Sequence, residues 1–494
     1  MAAEGTMAGF DCDVLIIGGG PTGVTLAALL AKRGVSVFVA EKEADIFPLP
    51  RAAHIDHEGM RILQEAGAAE AVMATSRRAD RYEFRNACGR ELMAFSGATG
   101  NGPGGWPIAN MIHQPSVEAA LRASLAARAP GALRSGWEML SFAEDSDGVT
   151  AQFAAPEGER TIRARWLVGA DGARSPVRKA CGIAFEDLGF EEPWLVVDVL
   201  VDDPSRLPTA NLQICDPARP TTCVLMGEGR HRWEFMILPG ETPEEMSSDA
   251  AVARMLAPWQ VEGAVRIERK AVYTFRARIA QHWRKGRVLL AGDAAHQTPP
   301  FAGQGMCSGL RDAANLAWKL AAITKGEADE TLLDTYQPER APNLRATIDM
   351  AIMMGKMVCT TSRFGAAVRD AKFALARALG KLPDGPPAYP PLDKGAILPG
   401  SPGTGSYFPQ VIGADGARLD DVLGPEEWLI RRADLAESRL AAFAAGLTDW
   451  LDRHGAEAVL VRPDRYVFGS GDAETLARAW QAAMARRNPR PDSR

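Results

Sequence analysis

An unbroken apolar run, residues 14–17 (Val-Leu-Ile-Ile), gives way abruptly to Gly18-Gly19-Gly20 and then to a pattern of helical period over 22–33. Leucine and β-branched residues without a polar break predict a buried strand, and the periodicity behind the glycines predicts a helix. A second apolar run over 36–40 predicts the partner strand, with Glu41 at its end. Strand, glycine turn, helix and strand make the opening of a doubly wound α/β unit.

Further along, the run Phe47-Pro-Leu-Pro-Arg51 breaks this unit and puts Arg51 on a loop. Met60, Leu63 and Ala66 then carry helical spacing over 57–66, residues 81–95 alternate as a strand pair, and 97–107 form a glycine-rich loop. A helix is expected to about residue 128, with Pro115 in its first turn and Gln114 just ahead. Alternation over 137–153 predicts a hairpin turning at 145–148, a second hairpin turns near 156–158, and a strand covers 163–170. From 190 to 275 the pattern is β-rich, with strands near 196–201, 222–226, 233–238 and 271–275 and one helical insert at 250–255. Strand and glycine turn return at 286–292, before a helix over 306–323. A long amphipathic helical segment is expected over 340–380, a Pro-rich linker over 382–402 and a small α/β unit after 414.

Gly18, Gly20 and Gly23 fit dinucleotide spacing: one for the tight turn, one for close approach to a pyrophosphate, one for packing helix on strand. Glu41, eighteen residues beyond Gly23, suits a carboxylate gripping ribose hydroxyls. Gly100, Gly102 and Gly105 repeat the spacing, but no strand precedes them and no helix follows, so context selects the first site. Spacing alone leaves the dinucleotide open.

With 494 residues, 46% of them hydrophobic, the chain can build two or three domains. A net charge of −6 with dispersed basic residues gives no footprint for nucleic acid or an anionic membrane. Seven cysteines without Cys-x-x-Cys spacing point to reduced thiols and against a flavin disulfide reductase. His54 and His57 beside Asp56 and Glu58 are read as a polar strand edge, and no metal is expected. The uncharged stretch 14–31 has a Gly-Gly-Gly-Pro centre unsuited to a membrane span, and a cytoplasmic protein with neither nucleic-acid nor membrane partner is expected.

Two further carboxylates, in Asp171-Gly172 and Gly292-Asp293, each end an apolar strand. With Gly18–Gly23 they occur in the order of the flavoprotein aromatic hydroxylases of the p-hydroxybenzoate hydroxylase fold, which the chain resembles over nearly its whole length. Within that family it looks most like the 3-(3-hydroxyphenyl)propionate hydroxylase type, through the segment from Gly292-Asp-Ala-Ala-His to Met306, the stretch Arg311-Asp-Ala-Ala-Asn-Leu-Ala-Trp-Lys-Leu320 and Arg462-Pro-Asp-Arg-Tyr466. The resemblance implies an α/β fold. In it a Rossmann-like FAD-binding domain (1–80, 106–185, 276–345) would carry an inserted β-rich substrate domain (81–105, 186–275). A helical segment (346–381), a linker (382–402) and a thioredoxin-like C-terminal unit (403–494) would follow.

It implies FAD, with Gly18, Gly20 and Gly23 on the pyrophosphate, Glu41 on the adenosine ribose, Arg51 and Gln114 on the pyrophosphate-ribityl region, and Asp293 on the ribityl chain. Asp171 would serve FAD and the transient NAD(P)H, and Pro299, Pro300, Gly303 and Gly305 would lie along the flavin ring. NAD(P)H would reduce the flavin, dioxygen would form a flavin hydroperoxide, and a phenolic or aromatic substrate would be hydroxylated ortho to its hydroxyl. Asp56 and His54 are the candidate bases for the phenolic proton, with an ordinary polar strand residue as the bland reading of either. An FAD-dependent dehydrogenase or reductase on a polyketide-like or terpenoid substrate, or a non-catalytic flavin-binding protein, stays open beside this, as does a homodimer.

Overall fold

The computed structural model describes residues 9–96, 100–382, 385 and 389–485. Residues 97–99 of the glycine-rich loop, 383–384 and 386–388 of the expected linker, and 486–494 of the C-terminal unit lie outside the described residues, as do 1–8.

Cys12–Ile17 is the centre of the first sheet, paired in parallel with Val37–Glu41 on one side and Gly158–Gly169 on the other. Val288–Leu290 continues the sheet in parallel beyond Gly158–Gly169, and Leu133–Ser135 beyond Val37–Glu41. Covered on both faces, the central strand is apolar without alternation, as parallel strands require; Val14, Leu15 and Ile16 are wholly buried. The helix Pro21–Lys32 starts directly after the glycine turn and packs against Gly305–Thr324. Gly292 and Gly309 make that contact close, because a Cβ at either would fall within 2.7 Å or 2.3 Å of Thr22 Oγ1.

The second sheet runs in the order His296–Gln297, Val265–Ala280, Phe185–Val201, Arg230–Met236, Thr221–Leu225, Asn211–Cys215, Arg81–Asn86 and Glu91–Ser96. Only Asn211–Cys215 against Arg81–Asn86 is parallel among these pairs. One face is apolar: Leu195, Val197, Trp233, Phe235 and Cys223 pack with Val252 and Leu256 of the helix Asp249–Leu256. Side chains alternate along a strand, so Trp194, Val196, Asp198, Arg232, Glu234, Thr222 and Gln213 fall on the opposite face. That face meets the backbone at Pro50 and Arg51 and the ring of Phe301, and its buried polar members are the first sign that it does more than pack.

Two expectations change here. The helical segment is two helices, Tyr336–Val358 and Arg363–Ala378, because the second begins afresh where Ser362 Oγ accepts from the Gly365 amide (3.2 Å). The described end of the expected linker is packed rather than free: Leu392 and Ala396 are buried, and the Ala396 amide donates to Glu339 Oε1 (2.8 Å). The C-terminal unit has a three-stranded antiparallel sheet, Trp428–Arg431, Ala458–Val461 and Val467–Gly471, with helices Ala444–His454 and Ala473–Met484. No helix among the described residues is long and apolar enough to cross a membrane.

Candidate active site

The glycine turn shows three different uses of the missing side chain. A Cβ at Gly23 would lie 2.0 Å from Gly18 O, and one at Gly18, whose φ is +109°, 2.3 Å from Ala170 O. Both positions are closed by backbone. At Gly20 no atom lies within 4 Å of the place a Cβ would take, and this residue is the N-cap of Pro21–Lys32 with no side chain satisfying the first-turn amides. Open space before bare helix amides is what a pyrophosphate needs. Glu41 closes the edge of this opening, its Oε2 accepting from the Gly19 amide (2.6 Å) and its Oε1 from Glu43 (2.9 Å).

Around the opening stand the other predicted residues. Arg51 is exposed on its loop, whose amides at Arg51 and Ala52 donate to Gln114 Oε1 (3.0 and 2.7 Å). Gln114 also donates to Glu118 (2.8 Å), so it acts first as a clamp that sets the Arg51 loop. Asp171 accepts from the Val177 amide through Oδ2 (2.9 Å), while its Oδ1 is buried without a hydrogen-bond partner among the described residues. Burial pushes this carboxyl above its ordinary range despite the bonds from Ser175 and Val177. Asp293 is exposed on the one-turn 3₁₀ helix Gly292–Ala294.

The turn bearing Asp293 is held from below by Asp312, which sequence reasoning did not single out as a site residue. Its Oδ2 accepts from the Gly292 amide (3.0 Å) and pairs with His296 Nε2 (2.6 Å), and its Oδ1 accepts from Arg340 (3.0 Å). Burial opposes the charge, but His296 and Arg340 outweigh it and hold the carboxyl below its ordinary range. The signal was its place one helical turn past Gly309, where a carboxylate on a buried helix face demands partners.

The loop 299–305 leads from the edge strand His296–Gln297 of the second sheet into the helix Gly305–Thr324. Pro299 is the buried N-cap of Pro300–Ala302, Gly303 turns with φ +64°, and Gly305 opens the long helix with no atom near its Cβ position. Phe301 inserts among Phe190, Trp194 and Phe275 (centroids 5.7–6.1 Å). Its carbonyl accepts from Tyr82 (3.1 Å), which accepts from Gln213 (2.6 Å), which accepts from Thr222 (2.7 Å). This chain crosses the polar face of the second sheet and ends on the loop; single-sequence reasoning could not say which strand residues faced inward. Glu234 lies in the same row, opposite Thr222, and burial raises its carboxyl despite Arg232.

The two candidate bases separate here. His54 lies against the loop, with Nδ1 3.3 Å from Gly303 O, and burial lowers its ring below the ordinary histidine value. Asp56 is fully engaged instead: Oδ1 caps the helix His57–Ala66 at the Gly59 amide (2.8 Å) and Oδ2 pairs with Arg311 (2.6 Å). Burial opposes its charge, yet Arg311 keeps it well below the carboxylate range. A carboxylate so held cannot take a phenolic proton at working pH. His57 is engaged as well, accepting from the Gly104 amide (3.1 Å) beneath the glycine loop that mimicked a nucleotide site.

Residues 11–351 match the family described as FAD binding domain, and 437–486 match the HcaD C-terminal domain. A probable NADH-specific resorcinol 4-hydroxylase of Rhodococcus jostii is 37% identical over 503 residues, covering 94% of this chain and 93% of that protein. This chain belongs to the FAD-dependent aromatic hydroxylases. A 3-(3-hydroxy-phenyl)propionate/3-hydroxycinnamic acid hydroxylase of Burkholderia cenocepacia is 34% identical, covering 97% of this chain and 98% of its own. Among solved structures, aklavinone-11 hydroxylase with FAD and aklavinone matches at 27% identity and TM-score 0.77 over 97% of this chain and all of that one. As a member of this family the protein is an FAD-dependent monooxygenase of aromatic rings reduced by NAD(P)H. Its residues fit the cofactor by their own geometry, through the open ground at Gly20 and Gly305, the unmatched Asp171 oxygen and the exposed Asp293.

Proposed function

We propose that this hydroxylase acts on a 3-substituted phenol, adding oxygen ortho to the phenolic hydroxyl with NADH as reductant. The observation that carries the reading is the junction at 299–305, where His54 and the aromatic wall of Phe190, Trp194 and Phe275 converge on the loop expected along the flavin ring. The relatives support the substrate class, since resorcinol and 3-(3-hydroxyphenyl)propionate are both phenols with a second substituent in the meta position. The NADH-specific relative supports the choice of reductant.

Gly18, Gly20, Gly23, Glu41, Arg51, Asp171 and Asp293 would hold FAD, which would supply the activated oxygen once reduced. The protein's own part is proton transfer and exclusion of water. A phenol ionises near ~10, so its ring carbon is a poor nucleophile at neutral pH until the hydroxyl proton is drawn off. His54 donates from Nδ1 to the Gly303 carbonyl, which leaves Nε2 with the lone pair. Its lowered pKa keeps that nitrogen unprotonated, and hence a base, at neutral pH. The aromatic wall keeps the loop dry, and Pro299 and Gly303 set its path.

The reading is tested by NADH consumption over a panel of phenols, with product analysis. Resorcinol-like and 3-alkylphenol substrates are expected to speed NADH oxidation and to yield one ring-hydroxylated product per NADH. A rate indifferent to every phenol, or stimulated only by 4-substituted rings, contradicts it.

A further inference from the structure

Arg311 is a buried cation with each arm of its guanidinium assigned. Nε donates to Glu58 (2.6 Å), Nη2 to Asp56 (2.6 Å) and Nη1 to Gln304 Oε1 (3.2 Å). Gln304 is the residue before Gly305 and the N-cap of the long helix, so this third arm fixes the end of the flavin loop. The first two arms fix the start of His57–Ala66, and the strand His54–Asp56 carries His54 to Gly303. One guanidinium thus sets both sides of the loop. Its flat face is covered by Tyr389, the ring centroid 4.4 Å from the guanidinium carbon and the hydroxyl 3.4 Å from Asp56 Oδ2. Tyr389 belongs to neither sheet; it lies on the arm that leads into the C-terminal unit.

We propose that Tyr389 is a positioning residue for the flavin loop, acting through Arg311, so that the C-terminal arm tunes how the loop meets FAD. The physical basis is the ion-pair cluster. Arg311 with Asp56 and Glu58 is strong only while water is kept out, and attraction between cation and ring is greatest when both are desolvated. Without the ring, water reaches the guanidinium, the weakest of its bonds, that to the neutral Gln304 amide, is the first to exchange, and 303–305 loosen. Tyr389 touches no reacting atom. The inference rests on the assignment of 299–305 to the flavin site, and FAD binding by the unaltered protein tests that assignment separately.

The experiment compares wild type with Tyr389→Phe, Tyr389→Leu and Arg311→Lys in the full chain. Readouts are FAD affinity by fluorescence quenching, the visible flavin spectrum, and amide hydrogen exchange over 299–305. Tyr389→Phe, which keeps the ring, is expected to behave as wild type. Tyr389→Leu is expected to bind FAD about threefold to tenfold more weakly, to shift the flavin band and to speed exchange in the loop. Arg311→Lys keeps the charge but loses the fork, and is expected to give the same signature; adding Tyr389→Leu to it changes little more. If Tyr389→Leu lowers the melting temperature while the flavin band and loop exchange stay as in wild type, the residue is only an anchor and the proposal is overturned. Should Tyr389→Leu fail to fold, Tyr389→Met takes its place, and a wild-type flavin band with wild-type loop exchange in that variant overturns the proposal equally.

Discussion

His54 and Asp56 stand two residues apart on one short strand, yet their surroundings assign them opposite work. Asp56→Asn removes the charge facing Arg311 and leaves a buried cation half-paired, which costs about 3–5 kcal/mol of stability; chemical denaturation measures this, and a loss of rate without a loss of stability contradicts it. His54→Ala is expected to fold normally and to lose rate at neutral pH, recovering part of it as pH approaches the phenol's own ionisation near ~10. In the wild type the base form of His54 is lost as pH falls through its lowered pKa, so the acid limb of the rate profile lies below the usual histidine value. Asp293→Ala removes an exposed carboxylate and is expected to weaken FAD binding by roughly 0.5–1.5 kcal/mol with no change in fold. These roles were not legible in the sequence, where His54 and Asp56 look alike; burial and the approach of Arg311 from another helix separate them.

At the scale of elements, the strand–turn–helix opening was legible because a parallel strand buried on both faces must be apolar throughout and its turn must be glycine. Gly20→Ala and Gly23→Ala test that logic against each other. The first places a methyl in open ground, so the protein should fold but bind FAD poorly; the second drives a methyl against Gly18 O at 2.0 Å and should unfold the turn. Circular dichroism and FAD titration of the two variants separate the outcomes, and equal behaviour would count against the division of labour among the glycines. Much of the second sheet was legible as strand, but Asn211–Cys215 and His296–Gln297 were missed, and the inward face was not legible. Thr222, Gln213 and Glu234 look like solvent-facing alternates in the sequence, and only the register shows them buried in one row against the loop. The break between Tyr336–Val358 and Arg363–Ala378 was missed because apolar periodicity resumes after Ser362 and masks a cap that needs only one hydroxyl.

Across the whole molecule, buried ion networks bind the C-terminal unit to the rest. Glu339 receives Lys319 (2.8 Å) and Arg462 (2.7 Å), and Arg462 also pairs with Asp464. Arg61 forks onto Asp420 (2.6 and 2.9 Å), which Arg465 also approaches. The sequence showed these charges scattered over some 400 positions, with nothing to pair them. Burial opposes the charge on Glu339 and Asp420, but their cations outweigh it and hold both carboxyls below the ordinary range. Their stabilising contribution is therefore complete above the unfolded carboxylate pKa of about 4 and is lost as pH falls below it. Melting temperature should fall steeply below that pH, and Glu339→Gln should flatten the fall; an unchanged acid limb in that variant contradicts the assignment.

The central claim, that a phenol held against the 299–305 loop receives oxygen at its ring, is tested most directly by isotope. Turnover of a 3-substituted phenol under ¹⁸O-labelled dioxygen in unlabelled water, followed by mass spectrometry, should give a product carrying one labelled oxygen atom. A product without label, formed while the dioxygen is recovered as hydrogen peroxide, would show that the protein oxidises its substrate without inserting oxygen.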